Sequence, residues 1–286
     1  MTHQTLNIKG NLLDLSTPLV MGIVNITPDS FYKGSRKQSE KDVAERVQQI
    51  IDQGGTVIDI GGQSTAPSST LLTAKEELER IEPSLSLIQR EFPDAIISID
   101  TFYSEVAKTA VEKYGVAIIN DISGGQIDEN MFETVAKLNV PYILMHMRGT
   151  PQTMQQFTEY DNLIEDIIYY FSEKIAHLNQ LGVNDIIVDP GFGLFSKTLD
   201  QNFKLMAHLK YFHIFDTPLL VGISRKSMAY KSLGTNAEES LNATTILNTY
   251  ALQSGASILR VHDVQEAVEC VKLTTKLNNY TPERFI

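Results

Sequence analysis

Eight polar or charged residues each stand at or near the end of a short apolar run that is rich in β-branched residues. They are Asn25, Asp59, Asp100, Asn120, His146, Asp189, Ser224 and Arg260. Carboxylates and carboxamides that lie together can bind a ring carrying several N–H donors and carbonyl acceptors. The carboxylates also stabilise positive charge that develops on such a ring. Any one of them could instead cap a helix, but three aspartates at equivalent positions favour a shared site.

A second group of candidates is basic and comes late in the chain. Arg225 and Lys226 follow the seventh apolar run, and Arg260 and His262 belong to the eighth. Residues two apart in a strand point the same way, so Arg260 and His262 share a face. Arg suits bidentate contact with a phosphate, and His adds a further donor. We interpret this group as an anion site; a Schiff-base role for Lys226, as in aldolases, is the alternative.

Asn25 is the candidate metal ligand. It begins the polar segment NITPDSF directly after the first apolar run. Its neutral oxygen suits a Mg²⁺ ion that is held at the same time by a diphosphate. The His and Cys residues show no zinc-binding spacing, and His146 is interpreted as a structural histidine.

The spacing of the run ends indicates how these residues are positioned. Successive ends are roughly 20 to 40 residues apart, about the length of one strand-plus-helix unit. The near-continuous apolar runs are typical of strands buried on both faces of a parallel sheet. We therefore predict an α/β protein with a (β/α)8 TIM barrel as a single domain over 1–286, with its site at the carboxyl ends of the strands. Within 1–18, alternation around Gly10 and Asn11 predicts an N-terminal hairpin that covers the barrel bottom.

Capping signals predict where several helices begin. The predicted boxes are Ser39 with Asp42, Thr73 with Glu76, and Asp263 with Glu266. A seventh crossover helix is predicted over 238–254, with its N-terminal side near Ser227.

Composition narrows the class of protein. The net charge of −11 argues against non-specific binding to nucleic acid or to an anionic membrane. It does not exclude an anionic substrate, because a few basic groups can converge in one pocket. No apolar stretch reaches the length of a membrane span, and the first residues lack a signal-peptide core. Cys270 is the single cysteine; we expect a buried thiol and a cytoplasmic protein.

Eight segments, in order, resemble the motifs of the dihydropteroate synthase family. They are MGIVNITPDSF, IDIGGQST, SIDT, INDISGG, HMRGTP, VDPGFG, GISRKSM and RVHDV, and the resemblance extends over about residues 19–275. The first two are specific to pterin-binding enzymes, and the last two point to the synthases among them. The resemblance implies a (β/α)8 barrel and a transferase of folate biosynthesis. Such an enzyme condenses 6-hydroxymethyl-7,8-dihydropterin diphosphate with 4-aminobenzoate to give 7,8-dihydropteroate and diphosphate.

The resemblance also implies roles for individual residues. Asp100, Asn120 and Asp189 would hold the pterin ring with Lys226 beside it, and Asp100, Asp189 and Lys226 would be the catalytic residues. Thr65, Arg260 and His262 would bind the diphosphate, and Asn25 would bind Mg²⁺. Phe31, Pro67 and Ser227 would shape the aminobenzoate pocket, where sulfonamides bind in the family. The family also implies a homodimer formed through the last helices.

Four departures from the family pattern leave a second interpretation open. In the second loop the usual Glu, Arg and Gly are Gln63, Ala66 and Ser68, and the segment 194–196 contains one extra residue, which should displace Lys197 but not Asp189. A catalytically weakened or binding-only relative is therefore the alternative. A methyltransferase acting on methyltetrahydrofolate is disfavoured, because a methyl donor brings no diphosphate for the basic residues to neutralise.

Overall fold

The computed structural model describes residues 4–26, 36–64 and 70–280, and within them a barrel of parallel strands is surrounded by helices. The strands are β1 (Thr5–Ile8), β2 (Asn11–Asp14), β3 (Leu19–Asn25), β4 (Val57–Gly61), β5 (Ile96–Asp100), β6 (Ile118–Asp121), β7 (Tyr142–Met145), β8 (Ile186–Asp189), β9 (Leu220–Val221) and β10 (Ile258–Val261). The helices are α1 (Arg36–Asp52), α2 (Ala74–Glu91), α3 (Ser104–Tyr114), α4 (Met131–Leu138), α5 (Leu163–Gln180), α6 (Leu199–Ala207), α7 (Ser227–Tyr230), α8 (Leu241–Gln253) and α9 (Val264–Asn278).

The predicted barrel is confirmed. The strands from β3 to β10 form one parallel sheet in the order β8-β7-β6-β5-β4-β3-β10-β9. An isolated parallel bridge between Val188 and Leu219 joins the two ends of this sheet, and the Val188 N–H donates to the Pro218 carbonyl at 2.9 Å. Most predicted strands agree within two residues. Asp59 is predicted at or near a strand end, and it lies two residues before the end of β4 at Gly61.

The hairpin of β1 and β2 packs across the amino ends of the barrel strands. Leu6 and Ile8 are buried in a cluster with the first residues of several strands, among them Val57, Ile118 and Ile258. The hairpin is tied down by polar contacts as well: the Asn7 N–H donates to Asp185 Oδ1 at 3.0 Å. The bottom of the barrel is thereby filled with apolar side chains, and ligand chemistry is left to the opposite end.

The helix starts agree with the capping signals only in part. The Thr73 and Glu76 box is present in full at the start of α2. Helix α1 begins at Arg36, so Ser39 lies within it rather than capping it. Asp263 precedes α9 but makes no capping hydrogen bond. Helix α8 begins at Leu241, and Ser227 begins the separate four-residue helix α7.

In the parts of the chain that the structure describes, no helix combines the length and apolar character needed to cross a membrane. The predicted burial of the Cys270 thiol is confirmed.

Candidate active site

The carboxyl ends of the barrel strands surround a cavity of about 770 Å³, within the size range of small-molecule sites. Seven residues that the sequence singled out line it: Asn25, Asp100, Asn120, Asp189, Lys226, Arg260 and His262. Ser227 directly follows Lys226 at the start of α7. The predicted site residues Phe31, Thr65 and Pro67 lie outside the described residues.

Arg260 bridges two of the aspartates. Its Nε donates to Asp59 Oδ2 and its Nη2 donates to Asp100 Oδ2, each at 2.6 Å. Burial lowers the pKa of Arg260, but the two carboxylates outweigh this and raise it. Burial raises the pKa of Asp100, and Arg260 opposes that shift. Burial outweighs this short charge-assisted contact, so the pKa of Asp100 is raised to about 7.

Asp59 also orients the carboxamide of Asn120. The Nδ2 of Asn120 donates to Asp59 Oδ2 at 3.0 Å. A carboxylate only accepts hydrogen bonds, so this contact determines which end of the amide faces Asp59. The amide oxygen of Asn120 is then presented as an acceptor, and both residues are buried.

Asp189 and Lys226 form another side of the site. The Gly191 N–H donates to Asp189 Oδ1 at 2.8 Å. The Nζ of Lys226 donates to the Phe192 carbonyl at 2.8 Å and lies 5.0 Å from the centre of the Phe195 ring. Burial lowers the pKa of Lys226 to about 8, against the opposing effect of Asp189. Burial raises the pKa of Asp189, and Lys226 opposes that shift.

His262 is held from two sides. The Ser224 hydroxyl accepts from the His262 N–H at 3.1 Å and lies 3.2 Å from the ring Nδ1. Arg46 Nη2 donates to the His262 carbonyl at 2.6 Å. Desolvation and then the neighbouring Arg260 lower the pKa of His262, so the ring is neutral near pH 7. With the hydroxyl donating to Nδ1, the proton of the neutral ring sits on Nε2, which is then a donor.

Arg225 does not join this group, which corrects its interpretation as part of the anion site. Its guanidinium pairs with Asp263, with Nη2 donating to Oδ1 at 2.7 Å and Nε donating to Oδ2 at 2.9 Å. Its Nη1 donates to the carbonyls of Ala237 and Glu238. The backbone of Arg225 has φ 55°, in the left-handed region. This conformation separates the side chain of Arg225 from that of Lys226.

Two further side chains belong to the site although sequence reasoning gave them no role there. Arg80 of α2 lines the cavity, and its Nη1 donates to the Gly62 carbonyl at 2.8 Å. Phe195 lines the cavity beside Lys226. An arginine on a helix is ordinarily a surface residue, so Arg80 carried no sequence signal. Phe195 lay in the segment with the extra residue, where the family pattern could not be aligned.

Asn25 is the candidate residue for holding a magnesium ion that would arrive with its ligand. Asn25 ends β3, is exposed and lines the cavity. Within residues 4–26, 36–64 and 70–280, no group of three or more His, Cys, Asp or Glu could hold a metal ion. One neutral protein oxygen, completed by diphosphate oxygens and water, is a donor set that Mg²⁺ accepts.

The fold and site define a (β/α)8-barrel enzyme whose cavity combines acceptors for a polar ring with cations for an anionic group. The family model described as pterin binding enzyme matches residues 21–262, and the chain belongs to that family. The chain is 41% identical over 267 residues to dihydropteroate synthase of Escherichia coli strain K12. The matched region covers 93% of each chain. Its similarity over most of its length is thus to transferases of folate biosynthesis.

Solved structures agree with this assignment. The Yersinia pestis dihydropteroate synthase in a sulfonamide drug complex is 38% identical, with a TM-score of 0.88 over 97% of this chain and 100% of that one. The Xanthomonas albilineans dihydropteroate synthase with 4-aminobenzoic acid is 33% identical, with a TM-score of 0.87 over 98% of this chain and 100% of that one.

Proposed function

We propose that this chain condenses 6-hydroxymethyl-7,8-dihydropterin diphosphate with 4-aminobenzoate to form 7,8-dihydropteroate and diphosphate. The observation that carries the proposal is the convergence of ring acceptors and cations in one cavity. Asp100, Asn120 and Asp189 line it together with Lys226 and Arg260. A pterin presents several N–H donors and a carbonyl at its edges, and this group of side chains matches those donors and acceptors.

The ring-binding role falls to Asp100, Asn120 and Asp189. Their carboxylates accept from ring N–H groups, and the amide oxygen of Asn120 adds a neutral acceptor. Lys226 lies beside the ring as a donor. Asp100 and Asp189 also supply negative charge close to a buried ring, which stabilises positive charge that develops there.

The diphosphate role falls to Arg260 and His262, with Thr65 as a further predicted contact outside the described residues. Arg260 contributes a permanent charge, and the Nε2–H of His262 contributes a donor. Asn25 would hold a Mg²⁺ ion against the diphosphate, and the ion would neutralise part of the leaving-group charge.

The reaction breaks the bond between the methylene carbon and the diphosphate oxygen. The electron pair leaves with the diphosphate, whose charge Arg260 and His262 offset. The carbon left behind carries positive charge that is shared with the ring and is stabilised by Asp100 and Asp189. The aromatic amine forms the new C–N bond and releases one proton. The amine is itself a nucleophile, so the step requires no strong general base.

The aminobenzoate is proposed to lie near Phe31, Pro67 and Ser227, and a sulfonamide would compete for the same place. Ser227 directly follows Lys226, which lines the cavity. Support comes from the two similar synthases whose structures contain a sulfonamide drug and 4-aminobenzoic acid.

We further propose a homodimer that pairs the outer faces of α8 and α9. Large apolar side chains on these helices are exposed in the single chain: Ile246, Tyr250, Leu273 and Leu277. The two helices pack against each other, so their exposed faces adjoin. Burial of such a face in a partner removes apolar area from water.

The single cysteine supports a reducing, cytoplasmic location.

The deciding experiment is a product assay with purified protein, the pterin diphosphate, 4-aminobenzoate and Mg²⁺, run with and without EDTA. Metal-dependent formation of dihydropteroate is the expected result. Calorimetric binding of the pterin diphosphate without any product would instead identify a binding-only relative. Product that is unaffected by EDTA would refute the proposed role of Mg²⁺.

A further inference from the structure

The loop between β8 and α6, residues 190–197, shapes the surroundings of Lys226. The Phe192 carbonyl accepts from Lys226 Nζ at 2.8 Å, and the Phe195 ring lies 5.0 Å from the same atom. At Gly193 an added Cβ would lie 3.0 Å from Lys226 Cδ. The loop therefore contacts the Lys226 side chain at Cδ and at the ammonium, and Lys226 also lines the cavity. The conformation of the loop sets how much water reaches the ammonium from the side of the loop.

Lys197 ends this loop with an unusually buried side chain. Lys197 and His146 are each 1% exposed. The Nζ of Lys197 lies 3.0 Å from His146 Nδ1 and donates to the Phe195 carbonyl at 3.0 Å. Buried lysines are rare and must be hydrogen-bonded, because desolvation of the amine is costly. Through these two contacts, Lys197 connects His146 at the end of β7 to Phe195. The ring of Phe195 in turn lies beside Lys226.

The loop makes further contacts through Ser196 and Asn202, which are both buried. The Ser196 hydroxyl accepts from the Arg148 N–H at 3.0 Å, and Tyr160 Oη donates to the Ser196 carbonyl at 3.0 Å. Asn202 accepts from the Gly193 N–H at 2.6 Å and donates to the Gly193 carbonyl at 2.9 Å. The Ser196 hydroxyl also donates to the Phe195 carbonyl at 2.7 Å, so Lys197 and Ser196 hold that carbonyl together.

We propose that Lys197 is a positioning residue for Lys226. Through His146 and the Phe195 carbonyl it fixes the loop against β7 and keeps the Lys226 ammonium shielded from bulk water. The consequence for catalysis rests on the proposed function, in which Lys226 lies beside the substrate ring. The arrangement of the two lysines does not depend on that function.

Charged groups from several strands face these two lysines. Asp189 of β8, Asp100 of β5 and Arg260 of β10 act on Lys226. Asp189, Lys226 and Arg148 act on Lys197, whose pKa burial lowers to about 7. His146 is neutral, because burial and then Lys197 lower its pKa well below the ordinary value. A change in the pKa of Lys226 therefore reports on its shielding only when these other groups are left in place.

The test measures the pKa of Lys226 directly, by competitive acetylation with acetic anhydride across pH 6 to 11 and mass spectrometry of the peptide that contains it. The wild type is compared with Lys197→Met, which keeps the apolar stem and removes the buried amine. Lys204→Met on the exposed side of α6 is the matched control. In Lys197→Met the pKa of Lys226 is expected to rise from about 8 toward the ordinary value of about 10.4. The control is expected to match the wild type.

A second variant separates positioning from charge. His146→Phe keeps the ring volume and the Lys197 amine but removes the Nδ1 partner. Positioning predicts that the pKa of Lys226 rises here too, whereas an effect of charge alone predicts no rise. Circular dichroism checks folding, and His146→Phe decides the matter if Lys197→Met does not fold. An unchanged pKa of Lys226 in folded His146→Phe overturns the proposal.

The product assay adds a separate arm. At pH 8, Lys197→Met and His146→Phe are expected to lower kcat by about tenfold, because the displaced loop no longer holds the Lys226 ammonium beside the ring. Lys204→Met is expected to leave kcat unchanged. If the wild type forms no dihydropteroate, the proposed function fails, but the acetylation result still decides whether Lys197 positions Lys226. A raised pKa of Lys226 with unchanged kcat would overturn the catalytic consequence.

Discussion

The guanidinium of Arg260 lies 2.6 Å from the carboxylate of Asp59, which has no exposed surface. A second carboxylate, Asp100, is equally close to the same guanidinium. Arg260 is therefore already paired before any ligand enters. The two carboxylates use Nε and Nη2 of the guanidinium, so a diphosphate that binds Arg260 meets a cation whose charge is already partly neutralised.

Arg260→Ala should therefore lower both activity and stability. Turnover of the diphosphate substrate should fall far more than the affinity for a bare pterin, because only the former carries the anion. The loss also leaves buried Asp59 without its cation, which destabilises a protein by roughly 3 to 5 kcal/mol. Steady-state kinetics, pterin calorimetry and urea unfolding measure the three effects. Equal losses of turnover and of pterin affinity would contradict the anion-binding role.

The matched control is Asp59→Asn in the Arg260→Ala background. Asparagine at this position removes the unpaired charge, so the double variant should recover part of the lost stability without recovering turnover. A double variant no more stable than Arg260→Ala would show that the ion pair is not the source of the loss.

Binding of the pterin diphosphate should be accompanied by proton uptake at His262. Desolvation and Arg260 keep the pKa of this ring low in the free protein, and an adjacent diphosphate would raise it. At pH 6.5 the bound protein should thus hold more protons than the free one. Calorimetric enthalpies in two buffers of different ionisation enthalpy measure this difference. His262→Asn controls for protons taken up by the diphosphate itself, and equal uptake in both proteins would count against the contact.

Glu77 of α2 should make the protein less stable as pH rises. It is fully buried, both of its carboxylate oxygens lack a hydrogen-bond partner, and burial raises its pKa from 4.5 to about 8. Between these two pKa values the folded state holds a proton that the unfolded state has released. Stability therefore falls as pH rises through this window and levels off above it.

Glu77→Gln should remove that decline. At pH 8 the variant should be more stable than the wild type by about 1 to 3 kcal/mol, and at pH 5 the difference should be small. Urea unfolding at the two pH values measures this. Glu79→Gln, on the exposed side of the same helix, should lose stability with rising pH as the wild type does. If Glu77→Gln lost as much stability between pH 5 and pH 8 as the wild type, Glu77 would be excluded as the cause.

Ala66→Arg should raise the activity if the cation that is usual in the family at this position contributes to diphosphate binding. The position lies outside the described residues. The KM for the pterin diphosphate is the parameter expected to fall, since an added cation binds the anion in the ground state. An unchanged KM would indicate that Arg80 or another cation of the site already serves in its place.

The parts of the fold that depend on local sequence were predictable. The apolar runs and their spacing identified the barrel, and the Thr73 and Glu76 capping box lies where its sequence places it. Such features are determined by residues a few positions apart. Seven of the predicted site residues line one cavity. Their convergence was predictable once the barrel was identified, because parallel strands bring their carboxyl ends to one edge.

What the sequence could not supply are the pairings between distant residues. Asp263 carries a capping signal, yet its carboxylate binds Arg225 instead, and that ion pair also removes Arg225 from the cavity. Asp59 and Arg260 are 201 positions apart, and no local pattern connects them. The partners of Lys197 were equally hidden, because an extra residue in its loop leaves several conformations open. Tertiary contacts decided each of these cases.

The hairpin that packs across the amino ends of the barrel determines where ligands can enter and leave. Leu6 and Ile8 fill the end opposite the chemistry, so both substrates and both products exchange at the mouth. On the roles proposed above, the pterin and the aminobenzoate therefore share one entrance, and the joined product leaves by it as well. Two apolar side chains that never approach the ligand thus determine the end of the barrel at which exchange occurs.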